Sequence, residues 1–247
     1  MAFYQSISEY YDHIFPLNNL QGGFVTGSFD AGSVLNILDI GCGTGSLSIA
    51  LASCFKKVIG IDPDADMLSI AENKADNKLK NLSFEALGML DIGEHFQKNT
   101  FDGILCFGNT LVHLGSEKEM QEFLDQANYI LKPGGKLMIQ IINYDRVIDQ
   151  NIKGLPTIEN EFVKFTRKYT YHPEKNLLDF ETLLSIKSEK REIRNIIHLY
   201  PIRRAKLLQL VRQSGFSDIR VWGNFKREAL VQESIPLVIE ALAYERL

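Results

Sequence analysis

Along the chain as far as Asn143, short apolar runs alternate with segments of helical period, the pattern of helices packed on a parallel sheet. Five runs read as strands: VLNILDI (Val34 to Ile40), KVIGID (Lys57 to Asp62), LSFEAL (Leu82 to Leu87), FDGILCF (Phe101 to Phe107) and GKLMIQIIN (Gly135 to Asn143). Each is rich in Ile, Leu, Val or Phe, as strands covered on both faces are. A helix starting near Asp64 would set Met67, Leu68 and Ala71 on one side, and another is expected from about Ser116 to Leu131, ended by KPGG.

Both flanks of this region read differently. At the N-terminus, apolar residues at Phe3, Ile7, Tyr10, Tyr11, Ile14 and Phe15 follow a helical spacing and predict one amphipathic helix. Such a helix either docks on the sheet edge or acts as a lid whose tyrosines close over a ligand. After Asn143, the runs EFVKFTRKYTYH, NLLDFETLLSIKS and REIRNIIHLYP are separated by the turn-like PEKN and SEKR, which predicts a three-stranded antiparallel meander. Alternation puts Phe165, Arg167, Tyr169 and Tyr171 on one face of its first strand, and Arg194, Ile196, His198 and Tyr200 on one face of its third. That mixed Arg, Tyr and His surface suits a substrate cap, the plainer alternative being a surface extension. A helix from about Arg203 to Ser214, the run FSDIRVWGNF and a last apolar run IPLVIEALA complete the chain, with no linker long enough to divide it.

Composition removes several classes. At 247 residues, 45% hydrophobic and 23% charged, the chain has the makings of one full core. No apolar run reaches the roughly 18 to 20 residues of a membrane span, and the N-terminus lacks an uninterrupted apolar segment, so no membrane association and a cytoplasmic location are expected. A formal charge of −4 gives no global attraction for nucleic acid, which the basic cluster Lys164, Arg167, Lys168, Arg203 and Arg204 leaves open only locally. Cys42, Cys54 and Cys106 show neither a CxxC pair nor a His partner at ligand spacing, so no disulfide framework or metal site is signalled. Nothing in the sequence indicates an oligomeric state.

The chemistry concentrates in LDIGCGTG. Gly41, Gly43 and Gly45 leave the first strand where an open parallel sheet holds a nucleotide-like ligand, and residues without Cβ let the backbone approach it closely. The dinucleotide fingerprint is GxGxxG; here the third glycine comes one place early and the pattern is DxGxGxG. Asp62 ends the second strand, where an acid can accept from both ribose hydroxyls, although nicotinamide folds place an acid there too. Asp64 is the better helix cap.

LDIGCGTG resembles the first motif of the class I S-adenosylmethionine-dependent methyltransferases, and the resemblance runs from about Val34 to Asn143, with ILKPGGKLMI as a further family-like segment. It implies an α/β, Rossmann-like seven-stranded mixed sheet of order 3-2-1-4-5-7-6 with helices on both faces. The inserted meander (157–201) would be the substrate cap and residues 1–30 a helical lid, all within one methyltransferase domain spanning 1–247. S-adenosylmethionine is the implied cofactor, with contacts from Asp39, Gly41, Cys42, Gly43, Gly45, Asp62, Pro63, Met67, Met89, Leu90, Phe107, Gly108 and Tyr11. Many relatives carry an acid before the adenine-contacting residues; that register falls here on Gly88, so the sequence departs from the pattern, with Asp91 the nearest substitute. CFGNTLVHLGS is similar to a segment of the glycine and sarcosine N-methyltransferase group that borders the methyl group, matching at Gly108, Asn109, His113 and Leu114. On that resemblance His113 and Asn109 are the catalytic candidates and the acceptor is a small molecule, methylated on N or O. Asn109 as a turn former and His113 as a hydrogen-bonded structural histidine are the plainer readings. The rivals are a nicotinamide-dependent oxidoreductase, for which no Tyr-Lys or His pair is found, and a non-catalytic cofactor-binding partner subunit.

Overall fold

The computed structural model describes residues 2–30, 34–75 and 79–244; Met1 and residues 245–247, at the ends of the expected 1–247 domain, lie outside it. β1 (Asn36–Ile40), β2 (Lys57–Asp62), β3 (Leu82–Ala86), β4 (Phe101–Cys106) and β5 (Leu131–Ile142) run parallel, joined by α4 (Ser46–Ala52), α5 (Ala65–Lys74), α6 (Ile92–His95) and α7 (Glu117–Ile130). β10 (Phe216–Trp222) and β11 (Pro236–Ala243) close the sheet antiparallel, giving β3-β2-β1-β4-β5-β11-β10. Counting only this sheet's strands along the chain, the order is 3-2-1-4-5-7-6.

The period of two in β1 decides what meets the helices. Leu38 and Ile40 join the core with Phe123, Leu124 and Ala127 of α7 and Leu207 of α9 (Arg204–Gln213), whereas Ile37 packs with Leu51 of α4 and with Phe24 and Val25 of α3 (Asn19–Thr26). Asp39, two residues on from Ile37, therefore shares the α4 face. Side-chain caps start the helices where the polar residues stand: Asp64 accepts from the amides of Asp66 and Met67, and Ser116 from that of Glu119.

Two details of these segments depart from the sequence pattern. Leu131 is already extended (φ −73°, ψ 142°), so KPGG does not stop the helix; it lies in the first turn-free part of β5, where the register against β4 shifts between Phe101 and Gly103. The N-terminal segment is not one helix. It runs as α1 (Ala2–Ile7), a 3-10 turn at Ser8–Tyr10 and α2 (Tyr11–Ile14), with the hydroxyls of Ser6 and Ser8 bonding back to the carbonyls of Phe3 and Gln5. Such local bonds compete with a continuous helix. Phe3, Ile7 and Ile14 still bury, against Val163, Phe165, Leu184 and Ile186 of the second sheet.

That second sheet has four strands: β6 (Gly154–Glu159), β7 (Val163–His172), β8 (Leu177–Ile186) and β9 (Arg191–Leu199), after α8 (Tyr144–Asp149). β6 was absent from the expected meander because Pro156 and an irregularity between Leu155 and Ile158 break its alternation, which an edge strand tolerates. The register Tyr169↔Phe180↔Ile197 and Arg167↔Thr182↔Asn195 fixes the faces. Phe165, Arg167 and Tyr169 look inward with Asn195, Ile197 and Leu199, while Arg194, Ile196 and His198 are exposed on the outer face. The two predicted faces are thus opposite sides of the sheet. His198 and His172 flank Asp179 outside it, at 2.8 and 2.9 Å.

Candidate active site

The loop after β1 is wired to the end of β2. The amides of Gly41 and Cys42 donate to the Ile61 carbonyl at 2.8 and 3.0 Å, and the Gly43 amide donates to Asp62 Oδ2 at 3.0 Å. The other oxygen of Asp62 accepts from the Asp64 amide at 2.9 Å. Burial raises the pKa of Asp62, and these two amide bonds oppose the rise. Asp62 therefore acts on the loop's shape.

Asp39 has a different environment. It is 4% exposed, its carboxylate accepts from the Ser48 hydroxyl at 2.6 Å, and it forms no ion pair among the described residues. Desolvation raises its pKa to about 7, the Ser48 bond opposing and the neighbouring Asp62 charge adding to the shift.

Both loop and carboxylate border a cavity of about 440 Å3 at the carboxyl ends of β1, β4 and β5. Of the residues expected at the site, the structure brings Asp39, Gly41, Cys42, Phe107, Gly108, Asn109, His113 and Tyr11 to its wall. The Tyr11 ring also lies beside Gly43, where an added Cβ would come within 3.4 Å of it. Gly43, Gly45, Asp62, Pro63, Met67, Met89 and Leu90 are not brought there. Gly45 begins α4 with φ 73° and faces Phe84 and Ala71; Met67 is buried, Pro63 exposed. Met89 and Leu90 pack against the main core, with the Leu90 carbonyl clamped by Gln126 at 2.7 Å.

The opposite wall comes from the second sheet and the N-terminal segment: Leu155, Arg167, Tyr169, Phe180 and Leu199 with Phe3 and Tyr4. Asp12 ties the N-terminal segment down, accepting from Lys74 Nζ and the Thr44 hydroxyl, each at 2.6 Å, so it crosses above the glycine loop.

Asn109 holds its loop in place. At φ 70° it accepts from the Ile142 amide at 2.9 Å and bonds the buried Tyr144 hydroxyl, while Gln140 Oε1 accepts from the Gly108 amide at 3.0 Å. These bonds fit the turn-forming reading of Asn109, which also borders the cavity. His113 Nε2 and the Tyr4 hydroxyl share a 2.9 Å hydrogen bond. His113 is exposed, but into the cavity, where surrounding protein replaces much of its water; this desolvation lowers its pKa to about 4. Burial raises that of Tyr4, so at neutral pH a neutral phenol and a neutral imidazole share this bond.

Gln140 and Tyr4 are among the lining residues that sequence reasoning missed. Gln140 had a signal, a polar residue in the apolar run LMIQII, because a buried polar group demands a partner. Tyr4 had none beyond its place on the N-terminal segment.

A family model described as a methyltransferase domain matches residues 31–198. The chain belongs to the methyltransferase domain family. This methyltransferase is similar to the glycine/sarcosine N-methyltransferase of Aphanothece halophytica, 26% identical over 208 residues that cover 83% of this chain and 75% of that one. It is also 30% identical over 141 residues to a ubiquinone biosynthesis O-methyltransferase of Coxiella burnetii, covering 56% of this chain and 58% of the relative. Its fold matches that of an S-adenosylmethionine-dependent methyltransferase from Clostridium acetobutylicum with a TM-score of 0.82 at 14% identity, over 98% and 99% of the two chains. The methyltransferase is thus an enzyme of the S-adenosylmethionine-dependent kind with the class I fold, which sets the nicotinamide rival aside. No helix among the described residues is long and apolar enough to cross a membrane.

Proposed function

We propose that this methyltransferase transfers a methyl group by in-line displacement to a nitrogen or oxygen of a small-molecule acceptor held between the glycine loop and the second sheet. The observation that carries this reading is one cavity with two unlike walls, the polar loop with Asp39 on one side and the aromatic cap on the other. A volume of about 440 Å3 beneath the anchored N-terminal segment suits a small acceptor and leaves little entry for a polymer.

The residues present fit the amino-acid end of the cofactor. Asp39 is a buried carboxylate with no cationic partner among the described residues, the environment in which an ammonium group is best received, and the Gly41 and Cys42 backbone lies beside it. Asp62 is the candidate for the ribose hydroxyls, using the lone pairs its two amide bonds leave free. Met89 and Leu90 remain the candidates for the adenine. S-adenosylmethionine supplies a methyl carbon already made electrophilic by its sulfonium. What the chain must add is alignment, desolvation and a route for one proton. Tyr4, Phe3 and Phe180 exclude water from the acceptor side, and the segment 1–30 serves as the lid and the second sheet as the acceptor cap.

His113 is a positioning group in this reading. With a pKa of about 4 it is neutral and weakly basic at the pH of catalysis, which disfavours general-base work, most effective when the pKa lies near ambient pH. His113→Gln is expected to lower kcat/KM by at most about 10²-fold, the scale of misplacement, without changing the shape of the pH profile between about pH 6 and 9. Disappearance of a titrating limb in that interval, with a loss of about 10²- to 10⁴-fold, would instead make it a base.

The direct test incubates the protein and methyl-labelled S-adenosylmethionine with a metabolite extract and follows the label by mass spectrometry. One labelled small molecule is the expected result; label only in protein or nucleic acid would refute the acceptor class. In parallel, S-adenosylhomocysteine and not NAD should raise the melting temperature, because a ligand bound only by the folded state stabilises it.

A further inference from the structure

Arg167 sits mid-strand in β7, on the inward face between the buried Phe165 and Tyr169, and borders the cavity. Its Nη2 donates to the Pro156 carbonyl of β6, whereas its Nε is buried with no hydrogen-bond partner. The residue opposite it on β8, Thr182, likewise has a buried hydroxyl without a partner. No carboxylate among the described residues pairs with this guanidinium, although Arg191, Arg194, Arg203 and Arg220 each pair with an acid on the surface. A half-buried cation without a counter-charge is costly, and a guanidinium keeps its proton regardless of that cost. An anion entering the cavity would offset it.

We propose that Arg167 anchors a carboxylate on the methyl acceptor, an inference resting on the proposed acceptor cavity and naming its substrate class. The planar fork of the guanidinium matches two carboxylate oxygens; with Nε buried and Nη2 already donating to Pro156, Nη1 and the second proton of Nη2 are the donors left for a ligand. A phosphate dianion fits less well: among the described residues Arg167 is the one arginine or lysine bordering the cavity, and the Asp39 carboxylate borders it from the opposite wall. The rest of the cap wall, Leu155, Tyr169, Phe180 and Leu199, is apolar or aromatic, so the acceptor joins its carboxylate to an apolar or aromatic body.

Calorimetric titration with S-adenosylhomocysteine present tests this with a matched pair of probes, 3-phenylpropionate and 3-phenylpropionamide. The wild type should bind the acid about ten- to a hundredfold more tightly than the amide, the scale of hydrogen bonds to a charged group. In Arg167→Met the two should bind within about threefold of each other, a preference within RT-scale energies. Arg167→Lys, which keeps the charge without the fork, should retain part of the preference and covers the case in which Arg167→Met does not fold. Lys168→Met, on the exposed face of the same strand, should change nothing. Equal binding of acid and amide, no binding of either, or a preference that survives in Arg167→Met would overturn the proposal, and tighter binding of phenyl phosphate than of the acid would overturn its choice of carboxylate. Titration of S-adenosylhomocysteine alone reports separately on the cofactor site, so its failure is distinguishable from failure at Arg167.

Discussion

Asp39→Asn is expected to make the unliganded protein more stable at pH 8, by about 2–4 kcal/mol, while weakening S-adenosylmethionine binding about ten- to a hundredfold. The folded-state pKa of Asp39 is raised to about 7 from an ordinary value of 3.8, chiefly by burial. Between those two pH values the folded state binds the proton that the unfolded state has released, so stability falls as pH rises through this window and the penalty is complete above about pH 7. Asparagine keeps an acceptor for the Ser48 hydroxyl and removes the charge. Denaturant titrations of both proteins at pH 5 and pH 8 read the effect directly. At pH 5, near the start of this window, the variant should gain less than half as much as at pH 8; a gain of equal size at both pH values would show that burial of charge is not the cause. The expected loss of affinity has the same origin: a carboxylate left without a protein cation is available for the cofactor's ammonium.

Gly45→Ala should cost about 2–5 kcal/mol of folding stability, combining the left-handed backbone of a non-glycine residue with overpacking. Gly45 has φ 73°, and a Cβ there would lie 2.6 Å from Phe84 Cζ and 2.8 Å from the Ala71 methyl. For a domain of ordinary stability that is a large share of the whole. Because Gly45 faces α5 and β3 and is not in the cavity wall, affinity for S-adenosylhomocysteine in the fraction still folded should change by less than about threefold, an RT-scale effect. Phe84→Leu, which shortens the obstructing ring, should return part of the stability. A variant with native melting behaviour and no affinity would mean that Gly45 touches the ligand after all.

What the sequence determined by itself was local. The apolar runs at Ile37 to Ile40 and Lys57 to Asp62 announce strands buried on both faces, Asp64 and Ser116 mark helix starts through side-chain acceptors, and DxGxGxG marks a loop that approaches a ligand, because each of these signals depends on neighbours within a few residues. The glycines carried different duties that the spacing could not separate. Gly41 lies at the cavity while Gly45 serves helix-to-strand packing, and that depends on Phe84, which is distant in sequence. Tertiary structure alone decided which face of the second sheet meets the cavity. Alternation divides β9 into two sets, but pairing with β8 chooses Asn195, Ile197 and Leu199 as the inner set and turns Arg194 and His198 outward. Only the folded chain could leave Arg167 and Asp39 without ion partners among the described residues on opposite walls of one cavity, since the absence of a counter-charge is a property of everything packed around a group.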